Sequence, residues 1–228
     1  MFPARYGIAI GGVVLGSVAF SVAMASRIPD PAPIHWNLRG EIDGYGPRWL
    51  ALGLFPALTA LFSGFLVLLG RSGAVAGSPE RSMKPYARLS LGVAVLLASL
   101  GGLFQLAAAG TDLDVAAIVF LPVGLFFAFA GLSLRDVGRN HWMGIRTPWT
   151  LASDAVWDAT HRAGSRVMAA VGLLTAASAF VLPMWGGLVL LVAGATSLVA
   201  WSFVYSRRVH ADLEAGRAAG DTDTRNSR

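Results

Sequence analysis

Two stretches of this chain carry side chains capable of chemistry. The first is Gly144-Ile145-Arg146-Thr147-Pro148-Trp149-Thr150, followed by Ser153, Trp157, Thr160 and His161 and preceded by Asn140. The second runs Pro33-x-His35-Trp36-Asn37, then Gly40, Glu41 and Asp43. Trp and Arg are the side chains most enriched where proteins recognise partners, so Arg146, Trp149 and Trp157 can form a partner surface. The same tryptophans serve an interfacial aromatic belt equally well. His161 as a general base needs a nucleophile, and Ser153 lies two helical turns away, so no catalytic residue is assigned. His35, Glu41 and Asp43 offer polar ligands to a metal or solute. Their spacing has no zinc signature, and a turn-rich loop accounts for them with neither metal nor cofactor.

The elements that must position these groups are set by a lipid solvent. Of 228 residues, 55% are hydrophobic and 14% charged, against about 25% charged in soluble domains. Uncharged runs lie near Tyr6–Ser26, Trp49–Gly70, Leu89–Ala109, Val115–Leu134, Val167–Leu182 and Met184–Tyr205. Each is close to the roughly 20 residues that cross a bilayer, so the expected fold is all-α, a polytopic membrane protein of six transmembrane helices. Pro183 and Trp185 break the last two runs into a hairpin. The alternation of sides sends fifteen Lys and Arg to one face and three, Arg27, Arg39 and Arg48, to the other. That bias predicts both termini in the cytoplasm of a cell membrane, and it explains the net charge of +5 without nucleic acid. The first run, with Ala23-Met24-Ala25 behind it, imitates a signal peptide but is too long for one, so an uncleaved span is expected.

Three units follow: residues 1–112 with three spans and an extracytoplasmic Pro-rich loop, residues 113–206 with three spans and a cytoplasmic loop, and a disordered tail over 207–228. In the outer loop, alternating prolines dictate an extended path, and Asn37–Gly40 and Asp43-Gly44 read as successive turns. In the inner loop, Thr150 or Ser153 can cap a short amphipathic helix lying at the interface, with Ser153, Trp157, Thr160, His161 and Gly164 on one face. Arg71–Ala87 reads as a plain connector, and Asp112 and Asp114 suit the start of the fourth helix. Gly7, Gly11, Gly12 and Gly16 repeat the small-xxx-small spacing of close helix packing. Pro56 and Pro122 should kink their spans and free carbonyls. The spans hold only Gln105 and hydroxyls, which disfavours a proton-coupled pump.

The run Asn140-x-x-x-Gly144-Ile145-Arg146-Thr147-Pro148-Trp149-Thr150-Leu151-x-Ser153-Asp154-x-Val156-Trp157-x-x-Thr160-His161 resembles the signature of the SdpI family of bacterial membrane proteins. Pro33-x-His35-Trp36-Asn37-x-x-Gly40-x-x-Asp43-Gly44 resembles the uncharacterised domain that commonly precedes it. The resemblance implies immunity to a secreted antimicrobial peptide and signalling through a cytoplasmic regulator bound by the inner loop. Ala155 and Ala159 stand where that pattern commonly has charged residues, which shifts the implied partner surface. A membrane enzyme or small-solute carrier using His35, Glu41 and Asp43 is the competing class.

Overall fold

A computed structural model describes residues 2–72 and 80–226. In chain order its elements are α1 (Ala4–Met24), β1 (Ala32–Trp36), β2 (Ile42–Gly46), α2 (Arg48–Arg71), α3 (Glu80–Ala108), α4 (Val115–Leu134), α5 (Pro148–Ala152), α6 (Asp154–Ser178) and α7 (Met184–Asn226). Five of the helices are long and apolar enough to cross a membrane: α1, α2, Ser82–Ala108 of α3, α4, and Met184–Gly216 of α7. Helix α6 is not among them. Asp154, Asp158, Arg162 and Arg166 occupy its first half, and its uncharged part begins only at Val167.

Several expectations are corrected. The fold is mostly helical but not all-α, because β1 and β2 pair antiparallel as a hairpin. Asp43-Gly44 is no turn; it lies inside β2, and Asn37–Gly40 alone reverses the chain, with Gly40 at φ 81°. The connector expected at Arg71–Ala87 falls partly on residues 73–79, outside the described residues, and is already helix from Glu80. The tail expected to be disordered continues α7 as far as Asn226, in keeping with the helix formers Ala211, Leu213, Glu214, Ala215, Ala218 and Ala219.

The glycine stripe of α1 is not a packing seam. Nothing lies within 4 Å of where a Cβ would stand on Gly11, Gly12 or Gly16. The close helix pair is instead α4 with α6. A Cβ on Gly124 would strike the backbone of Gly172 and Ala176, and one on Gly131 would meet Ser165 and Ala169. Small residues on both sides let the two backbones touch along their length, which gives packing without a hydrophobic driving force. Helix α4 begins as the sequence suggests, with the Asp114 carboxylate accepting from the Ala116 N–H at 2.8 Å. Prolines 56 and 122 both lie inside helices.

The bundle has two ends. At one, Phe2 and Tyr86 stand against Gly70, Arg88 pairs with Asp136 at 2.5 Å, and Ser82 donates to the Gly138 carbonyl at 3.1 Å. At the other, the hairpin sits over the C-terminal end of α3, where Trp36 meets Phe104 edge-on at 5.3 Å, and Gly40 lies near Val115 at the start of α4.

Candidate functional site

The Pro33 to Asp43 motif is a stapled hairpin. His35 in β1 faces Gly44 across the ladder, and its Nδ1 lies 2.5 Å from Asp43 Oδ1. Asn37 organises the turn: its Oδ1 accepts from the N–H groups of Arg39 (2.8 Å) and Glu41 (3.1 Å), and its Nδ2 donates to Glu41 Oε2 at 2.8 Å. Glu41 is thereby turned to Asn37 rather than to the His35 and Asp43 pair. Among the described residues no three His, Cys, Asp or Glu gather as metal ligands. Pro33 is buried at the base of the hairpin, whereas His35 and Asp43 are exposed. Trp36 packs on Phe104 instead of standing free at an interface.

The Asn140 to His161 motif lies at the opposite end of the bundle and is a buried hub rather than an interfacial helix. Thr147 caps α5 in a reciprocal capping box with Thr150, and Ser153 caps α6, which runs on unbroken to Ser178. Thr150 is therefore the third residue of the box, not a cap for α6. Its hydroxyl accepts from the Thr147 N–H at 2.8 Å and donates to the Ile145 carbonyl at 2.8 Å. Trp157, Thr160, His161 and Gly164 share one face of α6, as their spacing predicts, and that face is turned inward. Leu134 of α4, Trp201 of α7 and the loop residues Gly144 and Ile145 close over it, and Trp157, Thr160 and His161 are fully buried, so the face cannot lie on a lipid surface.

His161 is fully buried and stacks on Trp157 with ring centroids 4.1 Å apart. Its Nε2 accepts from the Ile145 N–H at 3.0 Å, so the ring proton belongs on Nδ1, which donates to the Trp157 carbonyl at 2.9 Å. Both nitrogens are spent on backbone, which leaves the ring no role as a free base. Burial lowers its pKa to about 4, against the smaller opposing effects of the Trp157 carbonyl and Asp158. Trp157 Nε1 donates to the Val137 carbonyl at 2.8 Å, which ties α6 to the end of α4. Gly144, at φ 110°, passes over this pair, and a Cβ there would strike His161 Nε2.

Asn140 is a second buried organiser. Its Oδ1 accepts from the N–H groups of Trp142 (2.7 Å) and Met143 (2.8 Å), and its Nδ2 donates to the Gly138 carbonyl at 2.8 Å. The exposed members of the motif are Arg146 and Pro148, with Trp142 beside them at 53% exposure. Trp149 is half-buried, edge-on to Phe203 of α7. Three residues of this end were not singled out by sequence. Arg139 clamps Asp154 and the Leu151 carbonyl, both at 2.7 Å, and Ser206 accepts from Thr147 Oγ1 at 2.9 Å. Val137 contributes only its carbonyl, and no side-chain signal marks such a partner.

Between the ends, the carbonyl freed by Pro56 has found its donor. A proline at 56 leaves the Leu52 oxygen without its helical partner. Gln105 Nε2 reaches that oxygen at 3.2 Å, together with the Ala51 oxygen at 3.3 Å and Ser21 Oγ at 2.7 Å. The one amide side chain in the spans is thus a brace joining α1, α2 and α3.

Comparison with known proteins agrees with the motifs. Residues 136–206 match the SdpI/YfhL protein family, and residues 12–60 match a domain of unknown function, DUF1648. The chain is 24% identical over 168 residues to the immunity protein SdpI of Bacillus subtilis (strain 168), covering 74% of this chain and 78% of that relative. No solved structure matches. The chain thus carries an SdpI/YfhL segment at residues 136–206 behind a DUF1648 domain at residues 12–60, and its long apolar helices are those of a membrane protein.

Proposed function

We propose that this protein is a multi-pass immunity protein that protects its cell from a secreted antimicrobial peptide and reports the peptide's arrival to a cytoplasmic regulator. One observation carries the reading: the two motif-bearing sites stand at opposite ends of one bundle, the hairpin over α3 and α4 and the His161 hub between α4, α6 and α7. The relative from Bacillus subtilis, named an immunity protein, supports the same role.

The chain crosses the membrane six times with both termini in the cytoplasm. Helix α6 lies along α4 from Gly131 to Gly124, which supports a crossing despite its short uncharged part, because its small-residue face is covered by protein and not by lipid. The bias of Lys and Arg supports the orientation. The peptide meets the His35 to Asp43 hairpin or the helices below it. The regulator meets Arg146, Pro148 and Trp142, while Trp157, His161, Thr147, Thr150, Thr160 and Asn140 hold that surface in shape. Differential affinity of a few kcal/mol between two arrangements of the inner loop is enough for the switch.

The test is protection of a sensitive host by the wild-type chain and by Arg146→Ala and His35→Ala variants matched for membrane insertion. Protection by wild type, loss of it with His35→Ala and loss of reporter response alone with Arg146→Ala support the reading. No protection by the wild-type chain against any secreted peptide of its own producer refutes it.

A further inference from the structure

A cavity of about 860 Å³ runs along α3 between α1 and α4. Its floor mixes small residues, Gly92, Ala98, Ser99 and Gly102, with the leucines of α3, and its walls include Phe20 on α1 and Phe126 and Phe129 on α4. It extends from Leu91 to Leu106, which at 1.5 Å per residue is about 22 Å. Its lining is apolar apart from Ser17, Ser21, Ser99 and Gln105, and a groove of that length and lining suits hydrocarbon chains.

The charge at the mouth of this groove names the head group. One turn before Leu91, Arg88 gives Nη2 to Asp136, while its Nε is buried without a hydrogen-bond partner. Asp136 is shared with Arg135 at 3.7 Å, so a single carboxylate faces two guanidinium groups. Lys84, exposed, lies one further turn along the same face of α3. This corner carries an excess of positive charge directly before the uncharged run that begins at Leu89, the position at which a spanning helix meets lipid head groups, and it leads into the apolar groove.

We infer that the groove is a binding site for an anionic phospholipid, its phosphate held at Lys84 and Arg88 and its acyl chains laid over Leu91–Leu106. The lipid closes the gap between α1 and α4, two helices that otherwise meet through α3. The site is independent of the immunity reading, since it needs only a bilayer.

Native mass spectrometry of the full chain, released from nanodiscs made of equal parts phosphatidylglycerol and phosphatidylcholine, tests it. Wild type should retain phosphatidylglycerol in preference, and Lys84→Gln should lower that preference about five-fold, the effect of one basic charge near a membrane surface. Val95→Trp or Ser99→Phe, which fill the groove from its floor, should lose retained lipid of both classes; the second variant covers failure of the first to insert. Equal retention of the two lipids by wild type overturns the proposal. So does undiminished phosphatidylglycerol in the filled variants, or an apolar helical peptide or second copy of the chain found in the groove instead.

Discussion

Replacing Gln105 by Leu should destabilise the bundle, and replacing Pro56 by Ala should remove the part of that effect that comes from the Leu52 carbonyl. The Leu52 carbonyl lacks its helical donor because Pro56 has no N–H, and Gln105 supplies one at 3.2 Å. The same amide serves Ser21 Oγ at 2.7 Å and the Ala51 oxygen at 3.3 Å. Hydrogen bonds between membrane helices average roughly 0.6 kcal/mol and reach about 1.7 kcal/mol. Two of the three bonds here are long, and leucine also removes the buried Gln105 Oε1, which has no partner. The net loss for Gln105→Leu is therefore about 1–2 kcal/mol. In a Pro56→Ala background the Ala N–H reaches the Leu52 oxygen within its own helix, so the same change should cost only the Ser21 and Ala51 bonds, roughly 0.6–1 kcal/mol. Reversible unfolding of the four proteins in lipid and dodecyl sulfate mixed micelles gives the coupling, expected near ~0.6 kcal/mol for the Leu52 bond alone. Equal losses in both backgrounds would refute the assignment of Gln105 as the donor that replaces the missing amide.

Three further outcomes concern the two motifs. His161 is held neutral with a pKa of about 4, below its usual value, so the unfolded chain binds the extra proton first as pH falls. Stability should be full above about pH 6.5 and decline toward pH 4 by on the order of 3 kcal/mol, and nitrogen NMR of labelled histidine should show the Nδ1–H tautomer; a His161 ring titrating near 6.5 would contradict the hub. Gly144→Ala should cost at least about 2 kcal/mol, since it adds a Cβ both at a left-handed φ and against His161 Nε2, and a thermal midpoint in detergent equal to wild type would show otherwise. Asn37→Ala should open the hairpin to protease while leaving the bundle's melting midpoint in place, because the Asn37 bonds all lie within the turn.

The sequence was most legible where one residue type has one physical use. Runs without charge marked the helices, Asp114 marked a helix start, and the spacing of Trp157, Thr160, His161 and Gly164 marked one face of α6. It was least legible where the same residues serve two ends equally well. Tryptophan and histidine at helical spacing fit a lipid interface or a core, and only the carbonyls of Val137 and Trp157 and the N–H of Ile145 decide for the core. Small residues in α1 and in α4 look alike on paper, yet only Gly124 and Gly131 found a partner of matching smoothness in α6. Gln105 and Pro56 were each visible as unusual, but their pairing across 49 positions of sequence depends on how α2 and α3 cross. The hairpin hid in plain sight, since alternating prolines and glycines suit an irregular extended loop as well as two short strands.

The most direct measurement of the central claim is cysteine accessibility, for which the chain, having no cysteine, is already prepared. Leu38→Cys lies at the exposed hairpin tip and Arg146→Cys on the exposed loop before α5. In intact cells a membrane-impermeant maleimide should label Cys at 38 and leave Cys at 146 unlabelled until the membrane is opened. Labelling of both in intact cells, or of neither, would contradict a protein whose two motifs face opposite sides of the bilayer.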